Sequence, residues 1–134
     1  MRETTNKYAG IEYDAENNWV HFTWNQFTPS AEYRQTIQDV VAFAIGKKAS
    51  KMLNDARHMG VVPQLDQKWF AEYWPANIVK SSLRYLAIIL PQEALGMMTM
   101  QKLIKKSEAT DKNLLDTRYF DSEAEASAWL KSVL

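Results

Sequence analysis

With 134 residues the chain is read as one domain, 1–134, a size at which folding buries roughly 70% of the surface that the unfolded chain exposes. Sixteen acids balance sixteen lysines and arginines, so there is no broad basic field of the kind that draws a protein onto nucleic acid, and without cysteine there is no disulfide, thiolate nucleophile or cysteine metal ligand. The beginning, "MRETTNKYAGIEYD", has no signal-peptide-like apolar run, and the longest aliphatic run, "LAIIL", is far too short to cross a bilayer; a cytoplasmic protein is expected.

Residues 8–14 and 19–24 read as two strands joined by "AENN", whose Asn17 and Asn18 suit left-handed backbone in a tight turn. In the second of them Val20, Phe22 and Trp24 share one face, and Trp19, His21 and Thr23 the other. A helix follows, with Thr28 as its expected cap and Pro29 at its first position. Tyr33, Ile37, Val40, Val41 and Ala44 recur at three and four along it, and Gly46 is expected to end it.

"SKMLND" is a short strand. Residues 64–80 form a second helix that should bend or restart at "WP", where proline lacks a donor and crowds the preceding turn. "LRYLAIIL" is nearly continuous in apolar character, as a central strand covered on both faces requires. After Pro91 comes a Met-rich helix ending near Glu108, then the polar stretch "SEATDKN". "LLDTRYF" is the last strand and "DSEAEASAWLKSVL" the last helix, capped by Asp121 or Ser122, with Trp129, Leu130 and Val133 as core contacts. Strands alternating with helices imply right-handed crossovers. The expected fold is α/β, a mainly parallel sheet of about five strands with an N-terminal antiparallel hairpin strand and about four helices.

Several stretches, in order, resemble the SpoIIAA-like branch of the STAS superfamily, the domains related to bacterial anti-sigma-factor antagonists. They are "YR" at Tyr33 and Arg34, "KMLNDARHMG", Trp69 with the "WP" of Trp74 and Pro75, "LAIILP", and "RYFDSEAEASAWL". The resemblance implies this strand–helix order, a non-enzymatic binding or regulatory role, and dimerisation. Antagonists carry a phosphorylatable Ser or Thr after the strand that ends in Asp, whereas here no hydroxyl side chain lies between Asp55 and Trp69. A phosphoserine switch, which adds roughly −1.5 to −2 charge at a helix start, is therefore not expected.

Two groups of residues are candidates for a site. Asp55, Arg57 and His58 sit where a parallel strand ends, the usual place for ligands in an open α/β sheet, with Asn25, Gln26, Gln92, Tyr119 and Asp121 expected nearby as a polar rim. Asp55 and His58 could move a proton there, or Asp55 could tie down a turn while Arg57 pairs with an acid. No motif poises a nucleophile, and no catalytic residue is assigned. Histidines occur only at 21 and 58, and the four glycines are scattered, so neither a metal nor another cofactor is expected.

The second group is apolar. Trp69 and Tyr73 lie one helical turn apart, as do Phe70 and Trp74, giving two neighbouring stripes of which one can face the sheet. The other meets a partner subunit, an apolar ligand or a membrane surface, or is absorbed in a wide core contact. Met97, Met98 and Met100 could form an adaptable cover over an apolar pocket, or fill the core. The expected role is a binding or regulatory module that self-associates as a homodimer; the alternative is a carrier or sensor of an apolar small molecule or lipid.

Overall fold

The computed structural model describes residues 2–110 and 115–133, with side chains over 6–106 and 115–133. The elements in chain order are β1 (Arg2–Thr5), β2 (Ala9–Asp14), β3 (Trp19–Trp24), α1 (Ser30–Lys47), β4 (Lys51–Asp55), α2 (Gln64–Ile78), β5 (Tyr85–Ile89), α3 (Ala94–Thr110), β6 (Asp116–Phe120) and α4 (Glu123–Ser132). The α/β class, the antiparallel hairpin and the four helices are those expected, and β1 adds a further strand at the outer edge. Of the expected polar stretch and last strand, residues 111–114 lie outside the described residues.

Strand order in the sheet equals sequence order. β1, β2 and β3 pair antiparallel, and β3 to β6 pair parallel. Each parallel strand is added on the same side of the last, so right-handed crossovers carry α1, α2 and α3 over one face. There Val20, Phe22, Trp24, Met52, Leu86 and Ile88 form the main core with the three helices. The last helix has no crossover to make, and it covers the opposite face, packing Ala126 and Leu130 on Trp19, Leu53, Ala87 and Ile89.

Local chemistry sets the element ends. In the hairpin turn only Asn18 is left-handed, at φ 56°, while Asn17 donates its backbone and side-chain N–H groups to Asp14. That side-chain bond chiefly holds the Asp14 carboxyl below its ordinary pKa. Thr28 does not cap α1; its hydroxyl donates to the Gln26 carbonyl, and Pro29 occupies the cap position without a side-chain bond. Gly46 lies inside the helix, which ends at a left-handed Lys48 (φ 53°), whose N–H reaches the Ala44 and Ile45 carbonyls and so satisfies the terminal acceptors.

The second helix runs through Pro75 without stopping or restarting. Trp74 stacks on Phe70 one turn earlier and is buried, so packing spans the place where the ladder loses its donor. Of the two candidate caps of α4, Ser122 does the work: its Oγ accepts the Glu125 N–H, and its hydroxyl donates to Glu125 Oε1. At the other end Lys51 Nζ donates to the carbonyls of Leu130 and Val133, so Val133 contributes a backbone acceptor and only a half-buried side chain.

Candidate functional site

The two aromatic stripes of α2 divide between two neighbours. Phe70 and Trp74, stacked at 5.4 Å, turn toward the sheet. Trp69 and Tyr73, stacked at 4.7 Å, lie toward α1, where Trp69 meets Tyr33 edge-on at 6.4 Å and the Arg34 guanidinium stands 5.3 Å over its ring. Arg34 Nε also donates to Asp66 at 2.7 Å, as does Ser30 Oγ. Tyr33, Arg34 and Trp69 are thus a clamp between α1 and α2, closed on a carboxylate that is 1% exposed.

Beneath α2 and α3 this packing leaves a cavity of about 90 Å³. Its floor is the sheet, with Phe22, Trp24, Met52, Asn54, Leu86 and Ile88; Tyr33 and Ile37 form one wall. Phe70 and Trp74 of α2, with Met100, Leu103 and Ile104 of α3, form the roof. At the β6 edge Tyr119 lines the cavity while 38% exposed, which marks its mouth. Of the candidate methionines only Met100 lines this space; Met97 is half-buried and Met98 exposed. Gly96 sets the position of the roof, because a Cβ there would come within 2.6 Å of the Met59 carbonyl oxygen and force α3 outward. Lys106 ties α3 to α2 by donating to Gln67, whose own amide donates to Val62.

One polar group in the floor is out of keeping with its surroundings. Asn54 faces the helices with Phe22 and Ile88 as its cross-strand neighbours, and Met52 and Ala56 two residues away along the chain. None of these side chains can donate a hydrogen bond, and Asn54 Oδ1 is buried without a partner. Such an acceptor costs about 1–3 kcal/mol. The Tyr33 hydroxyl stays neutral: burial, and then the charge of Asp66, push its pKa well above the ordinary range.

The polar candidates lie on the other face. Asp55 is buried toward α4, and Arg57 folds back on it with bonds of 2.9 and 2.6 Å and a backbone N–H at 3.2 Å. Burial alone would raise the Asp55 pKa, but the Arg57 hydrogen bonds and charge, helped by the charge of His21, hold it below the ordinary value. Glu123 stands 3.5 Å from the same guanidinium. The expected rim is only partly assembled. Gln92 reaches the Arg57 carbonyl through its N–H, but Tyr119 is in the cavity on the opposite face, because Phe120 is the β6 residue level with Asp55. His58 is exposed and joins no hydrogen bond or ion pair among the described residues.

His21, rather than His58, approaches Asp55: ligand atoms of His21, Asp55 and Glu123 lie within 4.8 Å of one another. A cation there would have to displace a guanidinium already bound to both carboxylates. The parallel register that sets Thr23 against Asp55 puts His21 on the same face, a relation visible only once the pairing is known. In Arg57→Leu the buried Asp55 loses its main counter-charge. That variant is expected to be about 2 kcal/mol less stable than the unaltered chain at pH 7. The depressed carboxyl stabilises the unaltered fold above pH ~4 and that contribution is lost as pH falls through its folded value, so the gap should be narrower at pH 3 than at pH 7. Urea unfolding at the two pH values measures it; a gap independent of pH would contradict this role.

Among the described residues no helix is long and apolar enough to cross a membrane. Comparison with protein-family models, with curated proteins and with solved structures finds no match.

Proposed function

We propose that the chain is a non-enzymatic binding module that holds an apolar small molecule in the cavity beneath α2 and α3, as a carrier or sensor. What carries the reading is the cavity itself: protein interiors are close-packed with few voids larger than a water molecule, yet about 90 Å³ is left open here among aromatic and aliphatic side chains, with an edge at solvent. Unbranched Met100 in the roof can change rotamer as a guest enters. A binding rather than catalytic role is favoured by the polar cluster, where both Asp55 oxygens are engaged by Arg57. The motifs resembling the SpoIIAA-like branch point the same way.

Toluene, as a minimal apolar guest, should bind saturably by calorimetry and raise the thermal midpoint of the unaltered chain. In Met100→Trp, whose ring fills the space, binding should be lost at a stability cost of about 1–3 kcal/mol. Absence of toluene and phenol binding by the unaltered chain would overturn the proposal.

Self-association is the second reading, and the exposed Leu65 favours it. It stands 77% exposed in the first turn of α2 beside Trp69 and Tyr73, in a shallow groove. Leu65→Glu should convert a dimer to a monomer in light scattering without lowering the thermal midpoint. A monomer at every concentration of the unaltered chain would dispose of the reading. Phe70 and Trp74 belong to the core, so charging them would test folding instead.

A further inference from the structure

We infer that the guest of this cavity is a phenol-type molecule, one aromatic ring bearing one hydroxyl, and that Asn54 receives the hydroxyl. The inference rests on the cavity being a binding site, and it names the chemistry that the site selects. Asn54 Oδ1 is buried on the floor with no protein partner, in a cross-sheet row whose neighbours on both sides are apolar. Buried polar atoms are nearly always satisfied, so an orphan acceptor beside an open volume points to a donor that comes from outside the chain. The two ends of an amide are told apart only by their bonding, and a hydroxyl, which both donates and accepts, suits either orientation.

The walls narrow the class further. Phe22, Trp24, Tyr33, Phe70 and Trp74 present aromatic surface to the space, which favours a flat ring over a chain. At about 90 Å³ the cavity is smaller than the ~150 Å³ engineered cavities that take up benzene, so a single ring fits only with adjustment of the roof, and larger guests do not. No charged side chain lines it among the described residues. A carboxylate or ammonium group would therefore be stripped of water without a counter-charge, and aromatic carboxylates and ring-bearing alkylammonium ions are excluded.

Phenol, toluene and benzoate test this by calorimetry, since the hydroxyl and methyl groups are close in size. The unaltered chain should bind phenol at least about tenfold more tightly than toluene, although toluene is the more apolar, and should not bind benzoate. In Asn54→Ala, which removes the orphan acceptor without narrowing the space, the order should reverse. Toluene binding as tightly as phenol in the unaltered chain would overturn the role of Asn54 and leave the cavity reading standing. Failure of both to bind would overturn the cavity reading itself. The phenol-to-toluene comparison is made on the unaltered chain and does not depend on any variant folding.

Discussion

Trp24→Ala is expected to lower the free energy of unfolding by about 3–5 kcal/mol, the largest loss anticipated for a single truncation among the cavity-lining residues. Trp24 is 3% exposed, stacks on Tyr33 at 5.3 Å and meets Phe22 edge-on at 4.9 Å. Deleting the ring removes its buried surface and two aromatic contacts, and it joins the ring's volume to a cavity that already exists, so the surroundings have little with which to refill it. For a chain of this length the thermal midpoint should fall by about 11–18 °C. Urea and thermal unfolding followed by far-ultraviolet circular dichroism measure both quantities. A loss below about 1 kcal/mol would mean that the ring is not packed as described.

Asp66→Ala should cost about 3 kcal/mol. Its carboxylate is 1% exposed and takes hydrogen bonds from Ser30 and Arg34, joining the first turn of α2 to the first turns of α1 across 36 and 32 residues of sequence. Removal leaves the Ser30 hydroxyl without its acceptor and frees Arg34, which also covers Trp69. Because the Arg34 side chain is 37% exposed and can turn to water, the loss belongs at the lower end of that for breaking a buried pair. Arg34→Leu should cost a similar amount for the opposite reason, since it strands a buried carboxylate. A double-mutant cycle on Arg34 and Asp66 should return a coupling above about 1 kcal/mol; additive losses would show that the two act independently.

Much of the architecture was legible along the chain. The 3.6 period of Tyr33, Ile37, Val41 and Ala44, the alternation in "WVHFTW" and the unbroken apolar run "LAIIL" each answer to a local rule, so helix, half-buried strand and central strand could be assigned without knowing their neighbours. The aromatic stripes of α2 were visible for the same reason. Helix ends were less so. At Lys48 and Pro29 the terminal backbone groups found partners or positions that residue preference does not single out.

What spacing along the chain could not decide was everything that depends on register between strands and on the closeness of helix to sheet. His21 belongs with Asp55, and Tyr119 with Asn54, only because of how β3, β4, β5 and β6 align, and a slip of one residue would exchange the faces of every side chain on a strand. The cavity has the same origin. Its lining comes from every layer on one side of the sheet, and its volume is the small difference between the space that the backbone encloses and the space that those side chains fill, a quantity carried by no single segment.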